Sequence, residues 1–333
     1  MRRGILRSAG PVLAKVLAVS LCLGAANIVR ADEGIFWEAT APGRPVLILM
    51  PTIHTLPDEA RDISAVLYQA LQRVNSVVIE SPTEGVTPAE KDAMHQRMTY
   101  PEPDSLEHHL TVMSVPELHA CADKAHLPYH VAIHFRPYAL TLAIMNRTPG
   151  PKPHEGIDTR LARGARIGHR DVMPLISTVE NVDFMGSMPQ RLQELVLRHA
   201  CTMLDNPGHN EVITAMADDW RRADADALSL DLEKPVLPGD SPELLKANDF
   251  LYAQGTDRFF AALMSERIQS MKGPVLVAVG AGHYLGRFSM IPGLQKAGYS
   301  VRRARLNEFP VIPFAPNVAA TPGSENPPQE QSH

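Results

Sequence analysis

The chain has 333 residues, 44% of them hydrophobic and 21% charged, with a formal net charge of −5. This is ordinary globular composition, and the length suffices to bury a large core. The mild acidity, with lysines and arginines scattered and no polybasic run, argues against a nucleic-acid partner, which would require a basic stripe.

At the N-terminus, Arg2, Arg3 and Arg7 precede the apolar stretch "VLAVSLCLGAANIV", and "VRA" ends at Ala31. This pattern predicts a signal peptide over residues 1–31, a mature chain from Asp32, and export, most simply to a bacterial periplasm. The apolar part is short for a spanning helix, so no stable membrane span is expected after cleavage. Leu21 precedes Cys22 where a lipoprotein cleavage site would have a small residue. Cys121 and Cys201 then remain. An oxidising compartment permits a bridge between them, but their separation does not require one.

Phe36 and Trp37 read as core. "PVLILM" is an unbroken apolar run, as in a strand buried on both faces. Ile63, Val66, Leu67, Ala70, Leu71 and Val74 paint one face of a helix, with Asp58 as its cap. "SVVIES" is a second short strand ending at Glu80. Together these predict a parallel βαβ unit with a right-handed crossover.

The middle of the chain reads as helical. "TPAE" at Thr87, "SVPE" at Ser114 and "SMPQ" at Ser187 each have the form of a capping box with proline in the first turn. "RDVMPLIS" reads as a further strand, and a long helix is expected from about Leu244 to Met271. "PVLVAVGAGH" repeats the opening pattern of a buried strand ending at a histidine. "GYSVRRARL" is expected as a charged edge strand. The tail from residue 315 is proline-rich, polar and without apolar periodicity, and is expected to be disordered. The fold class is thus α/β: one domain over residues 32–314, with a central, mostly parallel sheet flanked by helices and a largely helical middle insertion.

Three apolar strands therefore end in an ionisable residue: His54, Glu80 and His283. In open parallel sheets ligands bind beyond the carboxyl ends of the strands. If these strands are neighbours, two imidazoles and a carboxylate converge there. Such groups suit Zn, Mn, Fe or Co, and a bound ion would turn water into a nucleophile near neutral pH. Gly280 and Gly282 permit close approach of backbone or ligand, or serve a tight turn.

Other histidine pairs are weaker candidates. His108 and His109 sit in "SLEHHL". His130 and His134 lie four apart in "YHVAIH", a metal-ligand spacing on a helix, but no glutamate completes H-E-x-x-H. Ser81 lacks the G-x-S-x-G context of a hydrolase nucleophile. "GAGHYLG" does not fit a phosphate-binding glycine loop.

The blocks "IFWEATAPGRPVLILMPTIHTLP", "VNSVVIESP" and "VLVAVGAGHYLGRFSMIPGLQKAGYSV" resemble, in order and spacing, those of the TraB/GumN family, which includes the Tiki metalloproteases. "GIDTRLARGAR" resembles the family's central acidic segment, with Asp158 at its acidic position. "DRFFAALMSERI" resembles its arginine-bearing helix, with Arg258 in place. The resemblance implies a ChaN- and erythromycin-esterase-like fold and a divalent-metal site (Mn, Co or Zn) at His54, Glu80 and His283. It also implies hydrolysis of a peptide or other small substrate. Three positions depart from the family pattern. Pro51 replaces the first glycine of the first G-x-x-H, Ser177-Thr178 replaces a glutamate–threonine pair, and Phe259 replaces an asparagine. The alternative is therefore a member that has kept the fold, lost the chemistry, and acts as a periplasmic binding or envelope-associated protein. A haem or iron binder is a third reading, unsupported by any C-x-x-C-H motif.

Overall fold

A computed structural model describes residues 34–56, 63–82, 84–145, 154–205, 209–233, 241–312 and 314. All belong to the compact unit Glu33–His333. The expected signal peptide, the Asp58 cap and the tail from 315 lie outside the described residues.

Eight strands are described: β1 (Trp37–Thr40), β2 (Leu47–Thr52), β3 (Thr55–Leu56), β4 (Ser76–Ile79), β5 (His154–Glu155), β6 (Asp171–Pro174), β7 (Val275–Gly280) and β8 (Ser300–Arg303). Six form one sheet in the order β6-β4-β7-β2-β1-β8. The four strands β6, β4, β7 and β2 run parallel, and β1 is antiparallel to both β2 and β8. Every residue of β2, β4 and β7 is buried. Their unbroken apolar sequences are what a strand covered on both faces requires. The charged β8 lies at the edge, as its arginines predict. The unit from β2 to β4 is parallel, but the late strand β7 is threaded between them.

The helix Ser64–Leu71 buries Val66, Leu67, Ala70 and Leu71, the predicted face. The helical middle carries its own core of Leu106, Leu118, Cys121, Ala122, Leu140, Ile144 and Leu197. Cys121, in the helix Val115–Lys124, is bonded to Cys201, in the helix Gln190–Met203. Among the described residues no helix is long and apolar enough to cross a membrane.

Thr87 and Ser114 form the expected capping boxes, with Glu90 and Glu117. Ser187 does not. Its hydroxyl donates to the Phe184 carbonyl at 2.7 Å and closes the preceding helix, while the next helix starts after Pro189. The box instead stands at Ser177, whose side chain accepts from the Glu180 amide. The expected helix from Leu244 to Met271 is also two helices, Pro242–Leu263 and Glu266–Gln269. The Met264 and Ser265 amides turn back to the Phe260 and Ala262 carbonyls, and extended backbone at Ser265 restarts the chain.

The bridge closes a loop of 80 residues within the helical middle. Replacing both cysteines by alanine is expected to lower unfolding free energy by about 2–4 kcal/mol, read from urea titrations. An unchanged midpoint would show that the helical middle holds together by packing alone.

Candidate functional site

Backbone pairing determines where the three strand ends meet. In register, Thr52 of β2 faces Gly280 of β7, and Ile79 of β4 faces Ala278 of β7. The next residues along these strands lead to His54, Glu80 and His283, so all three emerge at one edge of the sheet. A Cβ built at Gly280 would stand 3.2 Å from His54 Nε2, 3.3 Å from Glu80 Oε2 and 3.6 Å from His283 Cδ2. Three side chains from three neighbouring strand ends thus reach the same glycine. The Gly280 amide donates to Glu80 Oε2 at 3.1 Å and fixes that carboxylate.

His54 lies between two acids. Its Nε2 is 3.7 Å from Glu80 Oε2, and its Nδ1 is 3.5 Å from Asp158 Oδ2. The His54 side chain is 57% exposed. Burial pushes its pKa down. Glu80 and then Asp158 outweigh that and raise it from 6.5 to about 9. His54 is therefore an imidazolium at neutral pH.

Asp158 reaches His54 because β3 pairs with β5, setting the helix Ile157–Ile167 against the end of β2. The Ile157 amide donates to the Ile53 carbonyl at 2.9 Å. At Gly156 the two backbones are so close that a Cβ would collide with the His54 carbonyl. Asp158 Oδ1 is buried without a hydrogen-bond partner.

His283 is held differently. It is 8% exposed and sits in the turn Ala281–His283. One face of the helix Pro242–Leu263 surrounds it. Thr256 Oγ1 is 2.8 Å from its Nδ1, Gly255 backs the ring, and Phe259 and Tyr252 stand edge-on to it at 4.9 and 5.7 Å. Burial holds its pKa below 6.5, with Glu80 opposing and His54 reinforcing that shift. Burial and then Glu80 raise the Tyr252 hydroxyl. The two histidines thus occupy opposite protonation states at neutral pH.

The residue types fit a divalent cation: two imidazoles and a carboxylate, with Asp158 behind one ring and Thr256 behind the other, the supporting contacts that metal-bound histidines use. The arrangement is open, however. Among the described residues no group of three His, Cys, Asp or Glu is drawn together tightly enough to hold an ion as it stands.

Residues 35–303 match the TraB/PrgY/gumN family. The chain belongs to that family. Neither the curated proteins nor the solved structures compared with it give a match.

The three departures from the family pattern can now be placed. Pro51 pairs with Val279 inside β2, beyond the residues of β2 that β1 covers, and its carbonyl takes the buried Trp220 indole N–H at 2.8 Å. No residue from Pro51 to His54 has positive φ, and His54 still faces Glu80. Ser177 caps a helix, and Thr178 Oγ1 is buried without a partner. Phe259 packs on His283. Arg258 lies over the Phe184 ring, 5.0 Å from its centre. Gly282 makes room for the Tyr252 ring.

The other histidines weighed as candidates lie away from this site, in the helical middle. His108 and His109 both contact Asp104, at 3.1 and 2.7 Å, and His109 stacks on Tyr100. His130 is exposed on the short helix Tyr129–Ala132, and His134 lies just beyond it. Tyr252, Gly255, Thr256, Gly156 and Trp220 were not singled out by sequence. The spacing Tyr252, Gly255, Thr256, Phe259 is one helical face and was the available signal.

Two predictions follow from this geometry. Gly156→Ala is expected to lower stability by about 3 kcal/mol, because backbone on both sides of the contact must move; a thermal melt checks this. Second, His54 should titrate near pH 9 in NMR spectra, and Asp158→Asn should lower that value. Because the folded pKa exceeds the unfolded one, the stability His54 contributes is full below pH 6.5 and is lost as pH rises through 9. The stability gap between wild type and Asp158→Asn should therefore narrow across that window. A gap independent of pH would break the assignment.

Proposed function

We propose that this protein is an exported, metal-dependent hydrolase acting on peptide bonds or a similar acyl substrate. The observation that carries the reading is the convergence of His54, Glu80 and His283 on Gly280 at the carboxyl edge of the sheet. Family membership supports it. The Cys121–Cys201 bridge supports export, since such bonds persist in oxidising compartments.

In this reading His54, Glu80 and His283 hold the cation (Mn, Co or Zn). When bound, it lowers the pKa of a water to about 7 and polarises the scissile carbonyl. The chain's own groups prepare the site. Asp158 holds the Nδ1–H of His54 and leaves Nε2 directed at Glu80. Thr256 accepts the Nδ1–H of neutral His283, which leaves its Nε2 lone pair free. The Gly280 amide holds one oxygen of Glu80, and the other is free to accept a proton from water.

The open arrangement of the site favours a second reading, in which the fold binds a ligand without cleaving it. Metal content separates the two. The purified protein, reconstituted with Mn, Co or Zn, should hold one ion per chain, read by mass spectrometry. Glu80→Ala and His283→Ala should lose it. Calorimetry in buffers of different ionisation enthalpy should show a proton released on binding at pH 7, because His54 is charged there. Wild type that takes up no metal sinks the hydrolase reading and leaves the ligand-binding one.

A further inference from the structure

A cavity of about 270 Å³ lies beside the candidate site, on the far side of Tyr252 from His283. It lies between the helices Ala225–Glu233 and Pro242–Leu263 and the turn from Gly282 to Phe288. Tyr252 and Gly282 separate the two. Tyr252 stands edge-on to His283 on one side and is stacked with Phe288, 6.5 Å between centres, on the other. Gly282 lines the cavity, while the next residue, His283, serves the site. The cavity and the histidines thus share one wall, made by Tyr252 and Gly282. The volume suits one side chain, since whole small-molecule ligands occupy larger clefts of roughly 300–1,000 Å³.

The lining specifies the kind of side chain. Leu232, Leu245, Leu285 and Phe288 supply apolar wall. Arg287 is neutralised by Asp249 and lies over the Phe288 ring. Glu233 is exposed and makes no ion pair among the described residues. The lining is therefore mixed: an apolar wall faces Asn248, the Arg287–Asp249 pair and Glu233, whose carboxylate has no cationic partner among the described residues. An unbranched apolar chain ending in a cation complements both features, because the methylenes bury against the leucines while the ammonium stays hydrated beside the acid.

We infer that this cavity is the specificity pocket of the site, and that it selects a basic side chain, lysine or arginine, of the peptide held across the histidines. The inference rests on the hydrolase reading for its meaning, but not for its test.

The test uses full-length protein labelled at leucine methyls, so that Leu232, Leu245 and Leu285 report on the pocket. N-acetyl-lysine amide and its neutral analogue N-acetyl-norleucine amide are titrated to millimolar concentration, followed by NMR. The lysine probe should shift those methyls and bind about threefold more tightly than norleucine. Glu233→Gln, a surface change that leaves the core intact, should abolish the preference. Equal affinity for both probes, no effect of Glu233→Gln, or unmoved methyls would overturn the inference. Repeating the titration with His54→Ala keeps the two claims apart. Lysine binding that survives there retains the pocket independently of the metal site, and wild type that takes up no metal sinks the hydrolase alone. Metal uptake without lysine preference sinks only the pocket.

Discussion

The site depends on one backbone constraint, the insertion of β7 between β2 and β4. Parallel ladders hold neighbouring strands about 4.8 Å apart and in fixed register, so strand ends separated by more than two hundred residues of sequence become adjacent to within a side chain's reach. Thr52 opposite Gly280 and Ile79 opposite Ala278 set that register. A shift of one residue in β7 would move His283 off the edge and reverse every buried side chain of the strand. The complete burial of β2, β4 and β7 makes such a shift costly. The ordinary hydrophobic demand of the sheet therefore holds the geometry of the site.

Around that frame the charges are distributed unequally. His54 is given two carboxylates and kept open to solvent, whereas His283 is given a hydroxyl and aromatic edges and kept dry. The same side chain type is thereby charged in one place and neutral in the other. Neighbouring carboxylates favour the charged form of one ring, and burial favours the neutral form of the other. Glu80 acts on both rings, and its own position is held by the Gly280 amide. Its removal would disturb all three residues at once.

Much of this was legible in the sequence. Continuous apolar runs announced β2, β4 and β7, and charge announced the edge at β8. Residues at the ends of those runs identified His54, Glu80 and His283 as a group. The supporting shell was less legible, because it comes from packing between elements far apart in the chain. Trp220 looks like any core tryptophan until its N–H is seen on the Pro51 carbonyl. Gly156 looks like a helix cap until the His54 backbone is seen against it. The misread boundaries have local causes. A serine followed by proline and glutamine at Ser187 fits a capping pattern equally well whether it starts one helix or ends another. The break at Met264 lies within a sequence whose propensities continue the helix.

The family departures gain a physical reading from the same packing. A proline inside β2 removes a backbone donor, which is tolerable only where no strand needs it. Pro51 lies past the end of the pairing with β1, and the indole of Trp220 satisfies the carbonyl there. Phe259 removes a polar group from the helix face beside His283, but Thr256 of the same face lies within hydrogen-bond reach of Nδ1. In this chain the polar contact to the ring comes from Thr256, one turn before Phe259, and Phe259 adds an apolar edge. With Pro51 and Phe259 in place, the three strand-end side chains all reach Gly280.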